Sequence, residues 1–572
     1  MPDVLPKLPG RFVPLALAIA VRRRFAAEWT ALNPQRWLPS PSDLGLGGSP
    51  RDLRPADAEN GARLLAGNVR LAGIGQAYGQ RAEIWDRPAP SRGFAVALHR
   101  MAWLPDLLAA GRPGAAEALR LVLAWRRQFG TPGRFGWTPE VLERRVFNLA
   151  CGLRVICAGA SEAETAALTR SLLLQARRLL AGEDGRPRAA ERAACAAVAA
   201  AALSGRSARR LQARALGRLA RALPATVKPD GGHASRSPQA GLELLFDLLT
   251  LDEALTERGQ AAPPAMMQAI DRLLGAVRFF TLGDGRLPAL QGGEPSTGPY
   301  VAAARAEDEW ADRPAPAALG GYQRLGAPKA LEIVADAAAA PQGQWSVSAC
   351  AQPLALEILA GGRPLIGGQG WSPDAAAPPG LRMVEAASTL TLGDQGCGAP
   401  VRGYSASVLG PRLRDVGYDV RAARREAEGA VWLDMTHDGW ADRYGLRCER
   451  RLYLDAAAEE LRAEDRFTAL GEQGRKRRDG GHFAPYAIRF HLHPGVSALA
   501  ARDGKSVLLK ADGRDQGWLL RTDAQDLHLE PSLRYGGGGA PRRSQQIILR
   551  GQVRIAQGAR VRWKLSRAEP QR

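Results

Sequence analysis

A chain of 572 residues is too long for one hydrophobic core and implies two large domains, or three. A hydrophobic fraction of 45% beside a charged fraction of 24% excludes disorder as the default state. The net charge of +20 is carried almost entirely by arginine. It reflects an arginine-rich codon usage, a polyanionic partner, or both, because arginine grips carboxylate and sulfate through a planar two-pronged donor set. Charge alone does not separate an acidic polysaccharide from nucleic acid or an anionic membrane face.

The first 50 residues read as an extension. Phe12 to Val21 is apolar, but Arg22-Arg23-Arg24 stands where a signal peptide carries its small-residue cleavage site. The run is also too short to span a bilayer. It predicts a short amphipathic helix that lies on a membrane as a peripheral contact or folds back on the protein. Residues 51–285 carry helical spacing, as in Leu98, Met101, Trp103, Leu104, Leu107 and Leu108, and again in Val141, Leu142, Val146, Leu149 and Leu153. The Ala-rich stretch Ala189 to Leu223 favours helix as well. Residues 286–320, rich in Gly, Pro and Ala, read as a connector.

From residue 321 to 572 the period falls to two. Trp345-Ser346-Val347-Ser348, Ser388 to Leu392, Arg450 to Leu454, Ala487 to His493, Gln545 to Leu549 and Val561 to Leu565 read as strands separated by Gly and Asp-Gly breaks. Many short strands at this spacing predict an antiparallel sandwich. The six cysteines are scattered, with no CxxC pair, which points to neither a disulfide framework nor a structural metal. No helix-turn-helix, zinc-finger or RNP-type segment is evident, so no nucleic-acid partner is expected.

Two segments gather chemistry. In Asp230-Gly231-Gly232-His233-Ala234-Ser235-Arg236-Ser237-Pro238, Ser237 suits a helix N-cap and Pro238 the first helical position. That puts His233 and Arg236 in a loop where amide donors favour an anion, unless the loop is merely a well-capped helix start. In the second half, His437 and the run Arg443-Tyr444 precede Ala487-Ile488-Arg489-Phe490-His491-Leu492-His493. On a strand, Arg489, His491 and His493 share one side, as metal ligands, as a polar wall to a glycan, or simply as a wet face.

In these segments, and in Ala97 to Leu104 and Gly321 to Leu325, the chain resembles the heparinase II/III family from about residue 50 to 560. The resemblance implies an incomplete α/α toroid followed by an antiparallel β-sandwich, with a glycan in the cleft between them. It also implies β-elimination on a uronate-containing polysaccharide: neutralisation of the carboxylate, removal of the C5 proton by a base, and protonation of the leaving oxygen by an acid. Under that reading His233 serves as base or acid with His437 and Tyr444, while Tyr300 and Tyr322 are remoter bases. Arg236 clamps the carboxylate, and Arg443, Arg489, His491 and His493 bind substrate. The chain departs from the family where Gln239-Ala240-Gly241 follows Ser-Pro in place of a catalytic Tyr, and at Cys350, where a histidine is expected. No metal and no cofactor is therefore expected, although some members hold zinc in the sandwich. The alternative is a non-catalytic glycan-binding or envelope-assembly protein. An acidic polysaccharide partner argues for the cell envelope or periplasm, and the lack of a clear signal peptide for the cytoplasm.

Overall fold

The computed structural model describes residues 43–568 except 134, 182–187, 328–329, 374–377, 394–395, 404–405, 407–409, 472–482 and 537–540. Before residue 43 it describes only positions 14, 17, 18, 21 and 25. The predicted N-terminal helix therefore lies mostly outside the described residues. The five positions that are described are helical, and Leu17, Val21 and Phe25 are exposed. Among the described residues no helix is long and apolar enough to cross a membrane.

The first half is helical. Its centre is Ala189–Ala201, a helix with almost no side-chain bulk, flanked by Pro139–Cys157, Glu162–Leu179, Arg206–Thr226 and Pro238–Thr256. Ala193, Ala194, Ala196, Ala197, Ala199 and Ala200 are fully buried. A helix apolar on every side belongs inside a packed layer, and alanine lets its neighbours approach closely. Helix starts are marked locally. Ser161 and Glu164 form a reciprocal capping box, and Ser237 accepts a bond from the Ala240 amide with Pro238 in the first turn. The connector 286–320 holds one further helix, Gly298–Ala306.

Among the described residues the second half is built of two large antiparallel sheets, with a small two-stranded pair, Ala399–Pro400 with Leu413–Arg414, beside them. One runs Asp526–Arg534, Arg542–Arg554, Phe483–Leu492, Arg363–Gly367, Leu356–Ala360, Leu331–Asp336, Tyr322–Gly326 and Ala318–Leu319, with Leu390–Leu392 also paired to Phe483–Leu492. In chain order the strands of the other sheet are β1 (Val420–Ala427), β2 (Ala430–His437), β3 (Leu446–Asp455), β4 (Glu460–Ala469), β5 (Val496–Ala500), β6 (Ser506–Ala511), β7 (Gly517–Thr522) and β8 (Ala559–Arg567). They are ordered β1-β2-β3-β4-β8-β7-β6-β5. Leu433, Leu452, Leu461, Leu565 and Leu520 turn inward to meet Ile488, Phe490 and Leu492 of the facing sheet. This is the helical domain and antiparallel sandwich that the change of period predicts. One predicted strand is different: Trp345-Ser346-Val347 lies in a 3-10 turn, Gly343–Val347. Gly343 has a φ of +59°, which an extended strand does not allow, and the Ser346 hydroxyl closes the turn on the Gly343 carbonyl at 2.7 Å.

The halves are joined by a buried ion pair. Arg236 Nη2 meets Asp336 Oδ1 at 2.5 Å, with the side chains 4% and 0% exposed. The other guanidinium donors go to the carbonyls of Gly320, Gly321, Ala338 and Ala339, each at 3.0 Å. The guanidinium lies 4.6 Å over the Tyr322 ring, whose hydroxyl donates back to the Arg236 carbonyl at 2.8 Å. Asp336 Oδ2 accepts from Gln291 and Gln352, so the aspartate is saturated as well. Gly232 allows this approach, since a Cβ there would lie 2.7 Å from the Gly320 Cα. Removing one member strands the other's charge in the interior. Arg236→Ala is thus expected to destabilise the protein by about 3–5 kcal/mol. Urea unfolding of Arg236→Ala, Asp336→Ala and the double variant checks this: the double variant should lose less than the sum of the two single losses.

Candidate functional site

The site residues expected from sequence fall in three neighbourhoods. The first is the loop that starts helix Pro238–Thr256. His233 is buried there, with the Trp345 ring edge-on at 5.8 Å. The Ser235 amide donates to His233 Nδ1 at 3.2 Å, and the Ser235 hydroxyl lies 2.7 Å from the same nitrogen. Because Nδ1 accepts from an amide, the proton of the neutral ring sits on Nε2. Nε2 faces Glu191 Oε1 at 3.5 Å. Burial works against the charge on Glu191, but Arg188 and His233 outweigh it and hold its carboxyl at about 2. Arg188 also grips Glu143, so the toroid's buried charges close on one another. Arg236, expected to clamp a substrate carboxylate, does not do so: all five of its N–H donors are spent on the junction described above.

The second neighbourhood is the interior at one end of the sandwich. His437 ends β2 and is 1% exposed; its Nδ1 accepts from the Gly439 amide at 3.2 Å, beside the rings of Tyr418 and Trp440. Burial pushes its pKa down to about 3. Tyr444 packs its hydroxyl against Gly393, where an added Cβ would lie 2.0 Å from the oxygen, and Arg443 lies 5.4 Å over its ring. Enclosed this way, His437 is neutral and shielded from solvent, which does not favour the catalytic role expected of it. Burial also pushes Tyr300 up to about 12 and Tyr322 well above its ordinary value, so neither serves as a base at neutral pH.

The third is the strand Phe483–Leu492 and the residue after it. Its second side is wet only at one end, where Phe483 and Pro485 are exposed; Ala487 and His491 are buried and Arg489 half-buried beside the segment Glu385 to Thr391. His491 Nδ1 lies 3.0 Å from the Ser532 hydroxyl and Nε2 2.9 Å from the Glu385 carbonyl. His493 Nδ1 bonds the Pro494 carbonyl at 2.8 Å, and Arg489 donates to the Thr391 hydroxyl at 2.7 Å. Burial first, then nearby arginines, brings both histidines down to about 4. His491 has no nitrogen left for a glycan or a metal.

Sequence reasoning missed the cavity between the connector and the first sheet. Its walls include Gly292, Cys350, Gln352, Glu357, Trp371 and Ser388. The Cys350 amide donates to Gln291 Oε1, which ties the cavity wall to the Arg236–Asp336 network. Arg382 stacks 4.7 Å from the Trp371 ring and donates to the carbonyls of Ser346 and Ala349. Glu357 is 94% buried, its Oε1 has no hydrogen-bond partner, and burial raises its pKa. An aromatic face, an amide, a hydroxyl and a carboxyl thus meet at a space that, as packed, admits about one water molecule. Only the spacing of Trp371 and Glu357 after the connector could have hinted at it, and neither sits in a motif. The donors do not fit zinc: burial lifts the Cys350 thiol to about 11, no histidine lines the cavity, and among the described residues no three His, Cys, Asp or Glu side chains cluster to hold a metal.

The neutral, buried histidines have a consequence for pH. Their folded pKa values lie below the ordinary 6.5, so the unfolded chain binds more protons between that value and about 3 to 4. Stability is fully present above pH 6.5 and falls as the pH drops toward 4, by at most about 1.4 kcal/mol per unit for each such histidine. Urea unfolding across pH 4–7 measures the slope. His437→Gln should flatten it, and an unchanged slope would contradict the burial argument.

Residues 312–564 match the family described as Heparinase II/III-like, C-terminal. The chain is 45% identical over 547 residues to FtsZ-localized protein C of Caulobacter vibrioides (strain NA1000 / CB15N), covering 95% of this chain and 94% of that protein. Among solved structures it is similar to heparinase III, with a TM-score of 0.70 and 13% identity over 93% of this chain and 87% of the other. It is also similar to a heparan sulfate lyase HepC mutant from Pedobacter heparinus, with a TM-score of 0.58 and 15% identity over 92% and 87%. The matched C-terminal family and the fold of the solved structures agree with the architecture described above, and the chain belongs to the heparinase II/III-like family.

Proposed function

We propose that this protein keeps the polysaccharide-lyase fold as a non-catalytic, glycan-binding scaffold of the cell envelope that works at the division site. The observation that carries this reading is that the base and the clamp are consumed by the protein itself. His233 accepts the Ser235 amide on one nitrogen and turns its proton toward Glu191 with the other, and Arg236 has no donor left. β-Elimination needs a lone pair aimed at C5 and a cation on the carboxylate, and both are absorbed in folding. The relative named FtsZ-localized protein C, matched over nearly the whole chain, supports the division setting. The half-buried Trp371 ring, which offers part of an apolar face at the surface, supports sugar binding.

A second reading, elimination by His233, is favoured by one contact: Glu191 lies 3.5 Å from Nε2 and orients the ring as a carboxylate orients a general base. Incubation with heparan, hyaluronan, alginate and bacterial exopolysaccharides separates the two, because a lyase product carries an ultraviolet-absorbing unsaturated uronate. No absorbance gain is expected on any of them, while a gain abolished by His233→Ala would establish the second reading. Calorimetry should show glycan binding weakened about tenfold by Trp371→Ala.

Peripheral membrane contact belongs to the same proposal. Leu17, Val21 and Phe25 are spaced by four residues on helical backbone and are exposed. Replacing all three with serine should abolish co-sedimentation with vesicles containing anionic lipid. Unchanged co-sedimentation would remove this contact from the proposal.

A further inference from the structure

The outer face of the second sheet carries charge in an order set by strand register. Directly paired residues of an antiparallel sheet point the same way. Arg425 pairs with Trp432, Trp432 with Tyr453, Tyr453 with Arg462, Arg462 with Lys564, and Lys564 with Arg521. Together they form one row across β1, β2, β3, β4, β8 and β7 that contains no acid. Arg425, Arg462 and Arg521 are exposed, and Trp432, Tyr453 and Lys564 are half-buried. The two aromatic rings lie 5.0 Å apart at the centre, and Arg462 sits 5.7 Å over Tyr453. The nearest acid is Glu460, which pairs with Arg462 at 2.5 Å and Lys564 at 2.7 Å from one side of the row. On the other side, Arg451 and Arg562 stand with Asp434 and Glu464, and Arg421, Arg466 and Arg560 with Glu449. Those two rows hold five cations against three acids, and the row on the first side adds the acids Asp455 and Glu460, so with the four cations of the central row the face keeps a net excess of four positive charges.

We propose that this row is a second binding site, separate from the cleft, for an extended acidic oligosaccharide lying across the strands. Three features favour a glycan over other polyanions. Adjacent aromatic side chains offer apolar ring faces for pyranose stacking. The strand pitch of about 4.8 Å places one side chain per step, close to the length of one sugar residue in an extended chain. Arg425 and Arg462 flank the aromatic pair, so an acidic group beside a stacked sugar meets the guanidinium of Arg425 on one side and competes with Glu460 for that of Arg462 on the other. The row uses none of the residues of the Trp371 cavity and stands whether or not the cleft binds sugar.

The experiment is calorimetric titration of the full chain with a heparin-derived hexasaccharide, with maltohexaose and hexaglutamate as controls. The hexasaccharide should bind with a salt-dependent affinity, with maltohexaose and hexaglutamate each about fivefold or more weaker. Trp432→Ala with Tyr453→Ala should weaken the hexasaccharide about fivefold or more even at high salt. Arg425→Ser with Arg521→Ser, both at exposed positions where folding is little affected, should lower the salt dependence. Trp371→Ala should remove only the share of binding that belongs to the cleft and leave the salt-dependent share that the two double variants weaken, which separates failure here from failure of the cleft reading. Equal binding of hexaglutamate would overturn the proposal in favour of an acidic peptide, and indifference to both double variants would overturn it outright.

Discussion

The guanidinium of Arg236 sits where the helical half meets the sandwich, and much of the rest of the structure depends on its being satisfied. It is held in left-handed backbone, with φ of +59°, a conformation that costs an ordinary residue energy. That cost is offset by five hydrogen bonds, a ring face and a saturated carboxylate. Four of the acceptors are carbonyls on either side of the strand pair Tyr322–Gly326 and Leu331–Asp336, so the arginine fixes the first strands of the sandwich against the helix that starts two residues later. Through Asp336 and Gln291 the same network reaches the Cys350 amide and sets one wall of the cavity. The core of the helical half continues through this junction, since Leu319, Tyr322, Val334 and Leu359 pack with it.

A network of this kind constrains chemistry as well as shape. Buried ions are tolerated only when nearly every donor and acceptor is paired. Pairing removes them from service toward a ligand. Arg236 is turned to Asp336, while Glu191 lies between Arg188 at 3.7 Å and His233 at 3.5 Å, held by charge rather than by hydrogen bonds. The histidines follow the complementary rule: enclosed without a strong counter-charge they stay neutral, as His437 and His491 do. The interior thus has polar groups in abundance and few that are poised to react.

The excess positive charge is expressed elsewhere. Asp465 and Arg450, fully buried between the sheets, neutralise each other through a two-pronged contact at 2.7 and 2.8 Å. The outward positions of the same strands carry arginines beyond what the local acids can match. Strand alternation separates these two populations: one parity of residues builds the core and the other a basic surface. The charge of +20, ambiguous as a composition, becomes a patterned face once register is known.

The sequence by itself determined the class of architecture, because periodicity is a local property. Val141 to Leu153 repeats as a helix, Arg450 to Leu454 alternates as a strand, and Ser237-Pro238 starts a helix from its own chemistry, whereas Leu98 to Leu108 is split between the helices Arg92–His99 and Leu104–Ala109 by a turn in which Met101 has a φ of +55°. Trp345 to Val347 was misleading because a glycine two residues before the tryptophan turns the chain, and alternation over four residues is too short to prevail over it. The site was far less legible. His233, Arg236, His437 and His491 are residue types that catalyse or bind, but whether they do depends on partners up to 106 residues away, such as Asp336 for Arg236 and Glu385 for His491. Trp371 and Glu357 gave no signal, since a cavity is made by what surrounds it. Tertiary structure decided these points because a hydrogen bond already made within the fold cannot also be made to a substrate, and only the packed chain shows which bonds are made.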